Sequence, residues 1–137
     1  MIRVIYASSA TAEFGESELM KILGKARANN EPSGITGLLL YSKGNFFQVL
    51  EGEESDIDQI WPKINADERH TGVIVLDKSE IDERAFSGWS MGFRNLETFD
   101  KSVLRGYSDI LDNPLSPEQF KSKGSEIVGL IEQFRSL

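Results

Sequence analysis

The chain has 137 residues, a net charge of −7, no cysteine and one histidine, His70. This length fits one compact domain, and 39% hydrophobic with 27% charged residues is ordinary for a globular protein. The negative charge disfavours nucleic acid and anionic membranes as partners, because lysines and arginines must neutralise phosphates there. The cysteine and histidine counts exclude disulfides, thiolate or multi-histidine metal sites and a cysteine nucleophile.

The N-terminal residues predict a first strand. Ile2, Val4 and Tyr6 alternate along the chain and therefore share one face of that strand. Met1 leads directly into this pattern without a secretion signal, and no segment reaches membrane-spanning length. We therefore expect a cytoplasmic protein.

A helix is predicted next. Its apolar stripe consists of Leu19, Ile22, Leu23 and Ala26. Ser17 is the candidate cap, and the helix should end near Asn29 and Asn30 because Pro32 forbids its continuation.

Two strands, residues 34–41 and 46–50, should then form an antiparallel hairpin. Gly44 and Asn45 suit the positive φ angles of a tight turn between them.

A second helix and two further strands complete the first two thirds of the chain. The helical stripe consists of Ile57, Ile60, Trp61 and Ile64. Pro62 removes a helix hydrogen bond and crowds the carbonyl of Asp58, so we expect a kink or an early end there. Residues 72–76 predict a buried strand, and residues 85–93, around Trp89 and Met91, predict another.

The order β-α-β-β-α-β-β predicts an α+β, ferredoxin-like fold with two helices on one sheet face. Two C-terminal helices can cover the other face or bind a partner. Their stripes are Val103, Leu104, Tyr107, Ile110 and Leu111, and then Phe120, Ile127, Leu130, Ile131 and Phe134. Ser116, Pro117 and Gln119 predict the start of the second of these helices, as cap, first helical residue and capping-box partner.

Gln48 is the anomaly in this pattern. Strand alternation places its amide on the same face as Phe46 and Leu50. Burying an unpaired amide costs roughly 1–3 kcal/mol, so Gln48 needs partners that donate and accept hydrogen bonds. Tyr6 is a candidate, because a phenol combines an apolar body with one polar tip. From spacing alone, a hydrogen-bonded core pair without further function is the simpler interpretation.

Tyr6 and Gln48 also belong to a series of ordered motifs. The motifs are residues 5–8 (IYAS), 28–30 (ANN) followed by 34–37 (GITG), 47–52 (FQVLEG), 67–70 (DERH) and 86–91 (FSGWSM). In this order they resemble the BLUF family, the blue-light sensors that use FAD. We expect a bacterial protein. The resemblance implies a flavin-binding sensor domain over residues 1–94 and a helical extension over 95–137.

The resemblance implies a photochemical role for Tyr6, Gln48, Trp89 and Met91. Tyr6 would donate an electron and a proton to the excited flavin, and Gln48 would link the Tyr6 hydroxyl to the flavin edge. Light would rearrange the Gln48 amide, strengthen a hydrogen bond to a flavin carbonyl and shift the spectrum to the red. Trp89 or Met91 would pass this change to the C-terminal helices. Without the resemblance, both residues would simply be part of the core.

The resemblance also implies a set of cofactor-binding side chains besides Tyr6 and Gln48. They are Ile22, Asn29, Asn30, Ile35, Phe46, Lys63, Asp67, Arg69 and His70. Asn30, assisted by Asn29, would bind the polar edge of the flavin, and Lys63, Arg69 and His70 would face its diphosphate. Without the resemblance the asparagines would be helix punctuation, the apolar residues core, and the cations ordinary surface charges.

The resemblance implies a sensor and not an enzyme. The chain carries no cyclase or phosphodiesterase domain after the tail, so we expect the signal to pass to a partner protein or to change the oligomeric state. Two other classes remain open: a small phosphatase on the same fold, and a ligand-binding regulatory module without photochemistry. Both of these predict a colourless protein.

Overall fold

The computed structural model describes residues 1–12, 14–87, 91–97 and 114–134. The strands are β1 Ile2–Ala10, β2 Thr36–Ser42, β3 Asn45–Gly52, β4 His70–Glu80 and β5 Gly92–Asn95. The helices are α1 Glu16–Asn30, α2 Glu54–Ala66, α3 Pro117–Ser122 and α4 Gly124–Gln133, with a 3₁₀ turn at Glu31–Ser33.

All five strands form one sheet in the order β4-β1-β3-β2-β5. Strand β1 pairs antiparallel with β3 and β4, and β2 pairs antiparallel with β3 and parallel with β5. Helix α1 therefore connects β1 with β2, which flank β3 in the sheet, and α2 connects β3 with β4, which flank β1. The predicted α+β, ferredoxin-like arrangement is confirmed.

The two faces of the sheet carry separate cores. On one face Ile2, Val4 and Tyr6 pack with residues of α1 and α2, as their alternation predicts. The other face, which includes Ile5 and Ala7, packs against the C-terminal helices. Every strand in the middle of this sheet is therefore buried on both sides, because the two helical layers exclude water from both faces.

The C-terminal helices α3 and α4 share the second predicted stripe. Phe120, Ile127, Leu130, Ile131 and Phe134 are all buried against the sheet. Ser116 and Gln119 form the predicted capping box, in which each accepts a hydrogen bond from the backbone N–H of the other. The stripe is divided between two helices at Lys123. The first predicted stripe, residues 103–111, lies outside the described residues.

Two local predictions were wrong near α1 and the hairpin. The cap of α1 is Gly15, and Ser17 lies inside the helix. The positive φ angles of the β2–β3 turn belong to Lys43 (49°) and Gly44 (80°), whereas Asn45 already pairs in β3. The pairing of Ser42 with Asn45 decides this, because it leaves only the two residues between them for the turn.

The extents of three further elements differ from the prediction. Helix α2 continues through Pro62 and ends at Ala66. Since Asp58 is exposed, water can satisfy its carbonyl oxygen, which has lost its intrahelical donor. Strand β5 begins at Gly92, after Met91, and its parallel pairing with β2 sets this start. Strand β4 is longer than predicted because β1 pairs along its whole length.

Candidate functional site

A cavity lies between α1, α2 and the sheet. Its walls are Tyr6, Ser8, Ile22, Lys25, Ala26, Asn29, Asn30, Leu39, Phe46, Gln48, Ile60, Lys63, Ile64, Asp67, Arg69 and His70. Apolar side chains dominate its interior, and the charged side chains come from the ends of the two helices and the loop after α2.

Tyr6 and Gln48 lie directly opposite each other on β1 and β3. Both are nearly buried, with 3% and 7% of their surfaces exposed, and both line the cavity. Side chains that are directly opposite on one face of an antiparallel pair have Cβ atoms only about 4.5–5.5 Å apart. The sheet topology thus brings a phenol and a primary amide, 42 positions apart in the sequence, to one wall of the cavity.

Gln48 has a partner on the segment that enters β5. Its Nε2 donates to Sδ of Met91 at 3.6 Å, a contact between two buried side chains. The backbone carbonyl of Met91 accepts a hydrogen bond from Nε of Arg27 on α1 at 3.0 Å. The Gln48 amide is therefore linked to the start of β5.

The Tyr6 phenol lies in an aromatic environment that excludes water. Its ring is perpendicular to that of Trp61, and the centroids of these two rings are 5.3 Å apart. The centroid of the His70 ring lies 6.5 Å from that of Tyr6. Burial raises the pKa of Tyr6 above its ordinary value, and the charge of Asp67 adds to this effect. Tyr6 accordingly keeps its proton over the whole physiological range.

His70 is engaged by the protein at both ring nitrogens. Nε2 is 2.6 Å from the carbonyl oxygen of Ile64, and Nδ1 is 2.7 Å from Oγ of Ser8. Because a carbonyl only accepts, Nε2 carries a hydrogen, and the neutral ring can then accept from the Ser8 hydroxyl at Nδ1. Both ring nitrogens thus have partners within the protein, and His70 lines the cavity. Its role towards the diphosphate, which the resemblance implies, stays a prediction.

Asp67 and Arg69 form a bidentate pair at the end of α2. Nε and Nη2 of Arg69 donate to the two carboxylate oxygens at 3.0 and 2.8 Å, and its backbone N–H donates to Oδ1. The hydrogen bonds and charge of Arg69 lower the pKa of Asp67 from its usual 3.8 to about 2. Arg69 therefore lines the cavity with part of its charge already balanced, whereas Lys25 and Lys63 add positive charge nearby.

We expect Asp67→Asn to lower stability at neutral pH by only about 1 kcal/mol, since the pair is partly exposed. The folded carboxyl is more acidic than the unfolded one, so the pair stabilises above about pH 4 and its contribution disappears as pH falls towards about 2. Urea unfolding of both proteins over this range measures the difference. Asp58→Asn, an exposed carboxylate on α2, is the control. A difference between Asp67→Asn and wild type that does not shrink on acidification would contradict the assignment.

Most of the cofactor-binding side chains suggested by the sequence line this one cavity. Ile35 does not; it is buried in the core on the same face, beside Gly52. Trp89 lies outside the described residues. Sequence reasoning missed six lining residues: Ser8, Lys25, Ala26, Leu39, Ile60 and Ile64. Period-two alternation from Tyr6 could have identified Ser8, and helical spacing from Ile22 could have identified Lys25.

Comparison with known families gives one match, which covers most of the chain. The family described as BLUF, sensors of blue-light using FAD, matches residues 1–92. Photoactivated adenylate cyclase subunit alpha of Euglena gracilis is 34% identical over 101 residues, 72% of this chain and 10% of that protein. Subunit beta of the same organism is 36% identical over 91 residues, 65% of this chain and 11% of that protein. The chain thus spans about a tenth of the length of these relatives.

Solved structures agree with the sequence matches. BlrB, a BLUF protein in its dark state, has a TM-score of 0.76 and 27% identity, covering 96% of this chain and 92% of that one. BlrP1 of Klebsiella pneumoniae, in a structure with FMN and cyclic diGMP, has a TM-score of 0.67 and 33% identity. The match covers 74% of this chain and 27% of that one.

The prediction of a sensor and not an enzyme agrees with the family's description. Within the part of the chain that the structure describes, none of the helices has the length and apolarity needed to cross a membrane. The family match over residues 1–92 and the similarity to solved BLUF structures lead to one conclusion: the chain belongs to the BLUF family, the sensors of blue-light using FAD.

Proposed function

We propose that this chain is a blue-light photoreceptor that binds FAD non-covalently in the cavity between α1 and α2. The observation that carries the proposal is the position of Tyr6 directly opposite Gln48, with both side chains buried and lining that cavity. A tyrosine can supply an electron and a proton, and an amide can exchange hydrogen-bond partners without any change in charge. The pair therefore has the chemistry that a reversible light response needs.

The cavity residues fit a flavin in three respects. Apolar side chains such as Ile22, Ile60 and Phe46 provide a slot for a flat ring. Asn30, with Asn29 and Gln48, would bind the polar edge of the ring, because an amide both donates and accepts. The positive charges of Lys25, Lys63 and Arg69 suit the diphosphate of FAD.

A bound flavin would supply blue-light absorption and, when excited, a strong acceptor for an electron. Tyr6 would donate an electron and its phenolic proton, and would then take both back, so that no net oxidation remains. Gln48 would rotate or change tautomer during this cycle, because its amide has an acceptor on one side and donors on the other. The new hydrogen bond from Gln48 to a flavin carbonyl would give the red shift, and thermal return of the amide would reverse it.

We further propose that the signal leaves through Met91 and the C-terminal extension, with residues 1–94 as sensor and 95–137 as extension. The contact between Gln48 and Met91 supports the first step. The second step, from the sheet to the extension, is supported by two hydrogen bonds to Leu115. Oδ1 of Asn45 accepts from its backbone N–H, and Oγ of Ser9 donates to its carbonyl. Output would reach a partner protein or another copy of the chain. The bacterial and cytoplasmic setting stays a prediction.

Spectra of the purified chain before and after blue light test the proposal. We expect a yellow protein with bound FAD, a reversible red shift, and a dark-to-light change in the size-exclusion profile, alone or with the partner. A colourless chain that takes up no added FAD would overturn it in favour of the phosphatase or regulatory-module alternative. The same experiment with FMN separates a requirement for FAD from binding of any flavin.

A further inference from the structure

Glu51 is a fully buried carboxylate on β3, on the sheet face opposite to Gln48. None of its surface is exposed, and strand alternation places it with Phe47 and Val49, away from the cavity. Nε and Nη2 of Arg3 donate to its Oε2 at 3.1 and 2.9 Å. A carboxylate is almost never buried without such partners, so the ion pair with Arg3 explains how its charge is tolerated.

Arg3 does not account for all the hydrogen bonds of Glu51. The backbone N–H groups of Ala85 and Phe86 also donate to its two carboxylate oxygens, at 3.0 and 2.9 Å. The guanidinium of Arg84 donates to the backbone carbonyl of Glu51 at 3.0 Å and to Oγ1 of Thr36 at 2.9 Å. Three consecutive residues, 84–86, are therefore bound to Glu51.

The 84–86 segment leads directly to the partner of Gln48. Met91 follows Phe86 by five positions. Because a fully extended chain spans at most about 3.6 Å per residue, the two Cα atoms are no more than about 18 Å apart. Phe86 is itself buried in the core under the C-terminal helices. Arg27 thus holds the carbonyl of Met91 directly, and the chain five positions before Met91 is attached to Glu51.

We infer that Glu51 is a positioning residue of the light response: its carboxylate fixes the 84–86 segment and thereby keeps Sδ of Met91 within reach of Nε2 of Gln48. The inference rests on the proposed function of Gln48. Strand β3 would then carry the rearranging amide of Gln48 on one face. Three residues later, on the other face, it would carry Glu51, which holds the segment that leads to Met91. Glu51 acts through Met91 and does not contact the cavity.

Glu51→Gln tests this role with little change in shape. The amide can no longer accept from both backbone N–H groups while facing Arg3, because one of its two polar atoms only donates. Glu54→Gln makes the same chemical change at an exposed ion pair with Lys78. Arg84→Met loosens the same segment from a partly exposed position without removing the buried carboxylate, so it serves if Glu51→Gln does not fold.

Two measurements decide the outcome. In the dark, the side-chain amide resonances of Gln48 should move in Glu51→Gln and Arg84→Met but not in Glu54→Gln. After blue light, thermal recovery of Glu51→Gln should differ from wild type by about tenfold, which corresponds to about 1.4 kcal/mol in barrier height. In a Met91→Leu background, Glu51→Gln should have no further effect, because both changes act on the same contact.

Unchanged Gln48 resonances in both Glu51→Gln and Arg84→Met would overturn the inference. So would an effect of Glu51→Gln on recovery that persists in full in the Met91→Leu background. If the wild-type chain shows no light-induced shift, the proposed photochemistry fails, and the resonances in the dark alone decide the role of Glu51.

Discussion

Tyr6→Phe is expected to bind flavin and to lose the light-induced red shift completely. Phenylalanine keeps the ring that packs edge-on against Trp61, so the cavity wall should stay intact. It removes the hydroxyl, and with it the proton that the proposed reaction transfers. Absorption spectra in the dark and after saturating blue light measure the result, at equal flavin content.

Tyr41→Phe is the matched control for that variant. Tyr41 is equally buried, on β2, packs in the same core against Phe46 and does not line the cavity. We expect it to keep a normal red shift. Because burial keeps Tyr6 protonated, the wild-type shift should also not titrate at the ordinary pKa of a phenol. A full, reversible red shift in Tyr6→Phe would remove Tyr6 from the proposed reaction.

Gln48→Leu has the second large expected effect, which is loss of the red shift with flavin still bound. Leucine has a similar size but neither donates nor accepts, so no side-chain rearrangement can alter hydrogen bonding to the flavin. Flavin affinity should fall by no more than about tenfold, because one net hydrogen bond contributes about 0.5–1.5 kcal/mol. Titration of the apoprotein with FAD and light-minus-dark spectra measure the two quantities.

Gln59→Leu, an exposed glutamine on α2, controls for the substitution itself and should behave like wild type. Comparing Gln48→Leu with Tyr6→Phe also separates the amide rearrangement from the donation of an electron and a proton. If Gln48→Leu keeps a normal shift while Tyr6→Phe loses it, electron and proton donation is retained as the explanation and the amide rearrangement is abandoned.

The local periodicity of the sequence was enough to predict much of the fold. Alternation placed Ile2, Val4 and Tyr6 on one sheet face, and helical spacing identified the stripe that includes Phe120 and Ile127. Such patterns are readable because a side chain's direction depends on the backbone period of its own element. Predictions that depended on one residue's preference were less secure: Ser17 is not a cap, and Pro62 does not end α2.

For the candidate site, the sequence by itself determined that a tyrosine and a glutamine occupy apolar strand faces and that asparagines end the first helix. Only the tertiary structure decided that Tyr6 pairs with Gln48, that Met91 accepts from the Gln48 amide, and that Glu51 binds the 84–86 segment. These contacts depend on strand order and register, which join residues far apart in the chain. No local pattern encodes which buried donor will meet which acceptor across a sheet.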